Sequence, residues 1–393
     1  MKPLFTFIAI LALLSSCGQD TPTQLKEAWD RVNDPNNLQS MADTHAYTTS
    51  FRNLPTKGGL SAPLWSGDYW PSNKGGISYR WFSRSREDQR YSYPLLSKEN
   101  LERYQDLRFL SPAEKYDLFL GRYDYPLTRK ERERTGILKT VRGHPHYHPR
   151  HRIPYWEGLC HAWAVATIAY PPPRPITIES VDGIEIPFGA SDIKALLTAY
   201  LHYHDDYHGT KILGSRCEVD AGGLNNRYPD SHRRRDDYRL NSPRCRDVNA
   251  GAFHIILTNE IGIKKESFIV DISRDAEVWN QAVTKYTTNI DGYRHGTSRR
   301  SSPEAVREVV VTTTMEYVSE VRHRWEGGID PNGTETAIYR YTLELDQEGK
   351  IVGGEWISRD RPDFLWKRKT PIGFAGDFHG LEELFQQYTQ DPS

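Results

Sequence analysis

Hydrophobic and polar positions divide the chain into stretches of different period. Residues 307–315, 337–345 and 351–357 read as strands, with apolar and polar positions alternating over 339–345, the period of a strand with one buried face. Asp346-Gln347-Glu348-Gly349 separates the last two and predicts a turn. Helices are predicted near 112–121 and 190–204, with a short one near 24–32. The run 161–169 has no breaker and stops at Pro171-Pro172-Pro173, which cannot continue a helix. Residues 251–259 are rich in Phe, Ile and Leu and predict a buried strand. Residues 260–266 hold a glycine and charges and predict a turn, with 267–272 as the return strand. Helices beside an antiparallel β-rich part make an α+β fold. The polar end, from about Lys367, reads as a loose tail.

Cys160 stands where a small turn residue, Gly158, gives way to the helical run. A helix N-terminus carries partial positive charge and favours the thiolate, the nucleophilic form. One cysteine so placed, with a histidine and an aspartate later in the chain, is the pattern of a Cys-His-Asp acyl-transfer enzyme. A hairpin centred between Gly262 and Ile263 sets His254 opposite Asp271, with Cβ atoms about 4.5–5.5 Å apart. Asp271 then orients the imidazole, and His254 takes the proton of Cys160. A single β-bulge would break that register. The plainer alternatives are a buried small hydrophobe for Cys160 and a structural histidine for His254.

The stretches Gly158-Leu159-Cys160-His161-Ala162-Trp163-Ala164, Cys245 to His254, and Val278-Trp279-Asn280-Gln281-Ala282-Val283 together resemble the transglutaminase-elicitor family of oomycete cell-wall transglutaminases and bacterial relatives. The third stretch resembles the elicitor peptide of the oomycete proteins, with Ala282 in place of its proline. The resemblance extends through Trp65–Ser72 and Leu110–Tyr116 upstream, and through 346–356 and 362–366 downstream. It implies a papain/transglutaminase-like core, with the nucleophile at a helix N-terminus packed on an antiparallel sheet. It also implies protein-glutamine acyl transfer through Cys160, with His254 as base and Asp271 as orienter. The donor is then a protein or peptide glutamine and the acceptor an amine such as lysine. Papain-like proteases carry a glutamine six positions before the cysteine, where this chain has Pro154; transglutaminases use a tryptophan indole, so Trp156 and Trp70 are the candidate oxyanion donors. Calcium enters only by analogy with transglutaminases at large, and no Asp-rich loop of calcium-binding spacing occurs. A papain-like peptidase or amidase of envelope peptides and a non-catalytic surface binding protein are the alternative functions.

The start of the chain carries a short charged segment, an apolar stretch at 4–14, and Leu14-Ser15-Ser16-Cys17. That stretch is too short to span a bilayer, which takes about 20 residues. A small-residue site directly before cysteine resembles a bacterial lipoprotein signal, with Cys17 as the lipid anchor. An exported, membrane-anchored protein is the expectation, with outer membrane or periplasm favoured because Gly18 follows. Of the four cysteines, Cys217 and Cys245 remain, flanking a polar loop. An oxidising compartment favours their disulfide, which closes a loop of about 28 residues and stabilises by ~3 kcal/mol. Cys217 as a rival nucleophile lacks a helix start.

The formal net charge of −1 gives no field for nucleic acid. His144, His146, His148 and His151 sit among prolines and read as a solvated loop, and the 202–208 histidines as a helix end, so no metal site is assigned. The expected organisation is a signal at 1–16, a tether at 17–54, a catalytic part at 55–300, a β-rich part at 301–372, and a tail at 373–393.

Overall fold

The computed structural model describes residues 29, 31–39, 46–86, 88, 91, 93–101, 104, 106–204, 209–214, 247–275, 277–370 and 373–390. Cys17, Cys217 and Cys245, and most of the short helix expected near 24–32, lie outside these residues. The helices are α1 (Lys98–Leu101), α2 (Pro112–Phe119), α3 (Pro126–Thr135), α4 (Cys160–Ala169), α5 (Ala190–Tyr203), α6 (Ala250–Leu257) and α7 (Leu381–Gln390). The strands are β1 (Lys57–Gly59), β2 (Ile176–Glu179), β3 (Glu185–Phe188), β4 (Thr210–Leu213), β5 (Ile269–Asp271), β6 (Asn280–His295), β7 (Arg307–Val318), β8 (Thr334–Leu345), β9 (Ile351–Trp356) and β10 (Leu365–Arg368).

An antiparallel sheet runs in the order β4-β10-β5-β6-β7-β8-β9, with β1 also pairing to β6. β2 and β3 form a separate hairpin. The strands after residue 300 therefore extend the same sheet that holds β5 and β6. One apolar cluster joins α2, α4 and α5 with Trp65 and Trp70; a second lies between α6 and the β7–β9 part of the sheet. The fold is α+β.

Local chemistry explains the helices. Ser111 and Glu114 form a reciprocal capping box at the start of α2, with Pro112 at its first position. Asp192, in the first turn of α5, accepts from the Gly189 N–H at 2.7 Å. The same buried carboxylate takes the Trp81 indole N–H at 2.7 Å and Lys115 Nζ at 2.6 Å. Three donors on one buried anion tie the segment near residue 81, α2 and α5 together.

Residues 250–264 correct the hairpin expectation. They form α6 followed by a π-helical stretch, Thr258–Lys264, instead of a strand and a turn. Asn249 starts α6, its Oδ1 accepting from Gly251 N at 2.8 Å and Ala252 N at 3.3 Å. Every residue of α6 is buried. A helix covered on all sides shows neither alternation nor an amphipathic stripe. Gly251 permits the close packing: a Cβ there would stand 2.3 Å from the Gly353 carbonyl oxygen in β9.

Two further expectations change. In the segment read as a tether, Leu38, Tyr47 and Leu54 are buried, and Asn33 Oδ1 accepts from Asn249 N at 2.8 Å. The polar end is not loose: β10 is an inner strand of the sheet, and α7 buries Leu381 and Leu384. Isolated apolar residues among polar ones carry no period, so their anchoring is invisible in sequence.

Candidate active site

Cys160 is the first residue of α4, as the sequence predicts. Tyr69 fixes the turn before it. Its carbonyl accepts the Leu159 N–H at 2.6 Å, and a Cβ on Gly158 would stand 2.6 Å from its ring. The next residue, Trp70, takes a left-handed backbone (φ 51°), stabilised by its N–H donating to Asp68 Oδ1 at 3.1 Å. The far end of α4 is secured by Trp65, whose indole donates to the Tyr170 carbonyl at 2.8 Å.

The thiol is buried and lies against the start of β6. Sγ donates to the Val278 carbonyl at 3.4 Å. The Asn280 side-chain amide approaches Sγ at 3.7 Å. Trp366, on β10, donates its indole N–H to Asn280 Oδ1 at 2.8 Å. An indole can only donate, so the Asn280 oxygen faces Trp366 and its NH2 faces the sulfur. Asp271 is the register partner of Asn280 across the β5–β6 pair. Its Oδ1 accepts from Ser273 N at 3.1 Å, Ser273 Oγ at 2.8 Å and Trp279 N at 3.0 Å. Those bonds shape the 271–279 turn that brings Val278 and Asn280 to the thiol.

Burial pushes the Cys160 thiol up to about 11, the Asn280 amide groups pull it down, and the Asp271 and Glu320 charges raise it further. From the ordinary thiol value of 9.0 that rise corresponds to roughly 3 kcal/mol. A helix N-terminus contributes typically ~0.3–1 kcal/mol. Desolvation therefore outweighs the helix dipole, and the resting sulfur is a thiol.

The structure does not set His254 opposite Asp271 on a strand pair. His254 lies on α6, with Nδ1 2.8 Å from the Tyr341 hydroxyl, its carbonyl accepting from Thr258, and its ring beside Phe51. Burial alone lowers its pKa to about 3. The hairpin register that would set it against Asp271 does not exist. Asp271 itself does reach the thiol's surroundings, through Asn280 and its charge.

Trp70 is buried with its ring 4.5 Å from His323, and its indole N–H has no acceptor among the described residues. Trp156 is half-buried in the turn before α4. His323 Nε2 lies 3.1 Å from Asp68 Oδ2, outside hydrogen-bond alignment, with burial pushing the Asp68 carboxyl up to about 6 and the imidazole down to about 3. His161 pairs with His202, Nε2 to Nδ1 3.0 Å. The histidines at 144–151 lie on an irregular, mostly exposed segment. Among the described residues no group of three or more His, Cys, Asp or Glu side chains is arranged to hold a metal ion.

A cysteine at a helix N-terminus, set against an asparagine on the adjacent antiparallel sheet, defines the class: an α+β fold with a built cysteine site. The chain belongs to the transglutaminase elicitor family, whose profile matches residues 146–372. Its fold is similar to the crystal structure of the GP42 transglutaminase from Phytophthora sojae, with a TM-score of 0.58 at 22% identity over 87% of this chain and 93% of that one. No curated protein sequence matches.

Asn280 and Trp366 were missed as site residues by sequence reasoning. Both lie in stretches that carried the family resemblance, 278–283 and 362–366, but neither has a local pattern that reveals a role.

Proposed function

We propose that the protein is a Cys160-dependent acyltransferase acting on protein or peptide glutamine. The observation that carries this reading is the Asn280 amide, fixed by Trp366 and directed at the sulfur of a cysteine that begins a helix, in a chain of this family. Sγ attacks the glutamine side-chain carbonyl carbon. The developing oxyanion takes hydrogen bonds from the Asn280 amide and from the N–H of Cys160, which as the first helical residue has no intrahelical acceptor. The C–N bond breaks, the C–S bond forms, and the thiol proton leaves with ammonia. Asp271, across the β5–β6 pair from Asn280, is the carboxylate we assign to relay it. An amine then takes the acyl group as an isopeptide, or water gives glutamate. Trp70, whose indole N–H has no acceptor among the described residues, is a second candidate donor.

The lipid at Cys17, attachment to an exported membrane surface and the Cys217–Cys245 disulfide belong to the same proposal. Intact-mass measurement with and without reductant tests the last.

The test is incorporation of a fluorescent primary amine into casein by residues 18–393, beside Cys160→Ala. Cys160-dependent labelling supports the reading. Cys160-dependent release of new peptide N-termini without labelling replaces it with peptidase chemistry, and the absence of any Cys160-dependent product replaces it with a binding role.

A further inference from the structure

A second group of side chains lies on the segments that flank the thiol. The rings of Tyr69 and Trp279 meet edge-on with centroids 5.3 Å apart, and Tyr155 lies 6.3 Å from Trp279. Glu277 ties two of them together: Oε1 accepts from the Tyr155 hydroxyl and Oε2 from the Trp279 indole at 3.0 Å. The Tyr69 hydroxyl donates to the Tyr155 carbonyl at 2.8 Å. Glu277 is itself placed by its N–H on Asp275 Oδ1 at 2.9 Å and by its carbonyl, which accepts from Ser273 Oγ at 2.8 Å.

This group grows from the segments that hold the nucleophile. Trp279 lies between Val278 and Asn280, the two residues touching Sγ. Tyr69 holds the turn before Cys160. Tyr155 is 56% exposed, so the group opens to solvent.

We propose that Tyr69, Tyr155, Trp279 and Glu277 form the acceptor subsite of the acyl-transfer reaction, and that it selects cationic primary alkylamines such as a lysine side chain. The inference rests on the acyltransferase reading. Aromatic faces attract an ammonium within about 6 Å, worth ~0.5–2 kcal/mol, and a carboxylate adds charge-assisted hydrogen bonds. Each Glu277 oxygen accepts one of the bonds described and has a second lone pair for an ammonium N–H. Glu277 also pushes the Tyr155 phenol up to about 12, chiefly through their hydrogen bond. Asp275 stands beside it, its carboxyl raised by burial. The nearest cationic side chain along this turn, Arg274, donates to the Arg359 carbonyl at 3.0 Å.

The chemistry balances without a further reactant. The bound ammonium gives one proton to Glu277 and through it to water. The free amine attacks the thioester carbon, the C–N bond forms and the C–S bond breaks. The amine's second proton goes to the Cys160 sulfur.

The experiment compares monodansylcadaverine, whose reactive end is an ammonium at pH 7, with hydroxylamine, which is neutral. Both compete for the acyl group of one glutamine peptide, with Cys160-dependent ammonia release followed in parallel. Glu277→Gln is expected to lower the kcat/KM ratio of charged to neutral acceptor by about ten-fold, mainly through KM for the charged amine. Tyr155→Leu, at an exposed position, is expected to lower it in the same direction. A ratio unmoved in both variants, with Cys160-dependent ammonia release intact in the wild type, overturns the subsite and leaves acyl transfer standing. Absence of that ammonia release in the wild type overturns the acyltransferase reading and the subsite with it.

Discussion

Trp366 orients Asn280. Its indole N–H meets Asn280 Oδ1 at 2.8 Å, and the amide nitrogen on the other side lies 3.7 Å from Cys160 Sγ. A residue 86 positions away in sequence thus decides which end of an amide faces the nucleophile. Asn280→Ala removes the donor and is expected to lower kcat for ammonia release by about 10²–10³-fold, the usual cost of an oxyanion donor. Trp366→Phe frees the amide to turn and is expected to cost less. Steady-state kinetics on a glutamine peptide checks both, and full activity in Asn280→Ala would remove the amide from the mechanism.

Cys160 should alkylate slowly at neutral pH. With the thiol pushed up to about 11, the iodoacetamide rate is expected to rise about ten-fold per pH unit from 7 toward 10. A rate already at its plateau by pH 7 would show that the helix N-terminus outweighs burial.

His254 is expected to matter for stability before chemistry. His254→Gln disturbs a buried contact with Tyr341 and should cost about 1–3 kcal/mol in urea unfolding at pH 7.5. The wild-type imidazole titrates near 3 when folded and near 6.5 when unfolded. A depressed folded pKa gives stability that is present above 6.5 and lost as pH falls toward 3. The penalty of His254→Gln should therefore shrink as pH drops through that window. Loss of Cys160-dependent turnover at unchanged stability would restore His254 as the base.

Asp68 carries the opposite sign. Burial raises its folded pKa from 3.8 to about 6. Its contribution is full below 3.8 and lost as pH rises through 6, by up to ~3 kcal/mol. Asp68→Asn keeps an acceptor for Trp70 N and avoids ionising a buried acid. Its stability relative to wild type should increase from pH 4 to pH 7 in urea titrations. No change across that range would place the carboxyl's pKa near its unfolded value.

Gly251→Ala should destabilise by about 1–3 kcal/mol, because the new methyl meets the Gly353 carbonyl at 2.3 Å and helix or strand must give way. A neutral thermal melt would show that α6 stands farther from β9.

The sequence by itself determined those elements whose signal is local. The α4 run ends at Pro171-Pro172-Pro173, Ser111 and Glu114 cap α2, and β8 alternates over 339–345; each is fixed by neighbours a few residues away. Cys160 at a helix start was legible for the same reason. Tertiary structure decided the rest. A helix buried all round, α6, has the composition of a strand, and only its packing against Gly353 and Gly354 shows what it is. β6 is polar along much of its length and becomes a strand because β5, β7 and β1 pair with it. The thiol's partners were beyond reach because Asn280 and Trp366 meet it only through a sheet in which β10 inserts beside β5. A hydrogen bond between residues far apart in sequence leaves no periodicity, so its geometry exists only once the sheet has formed.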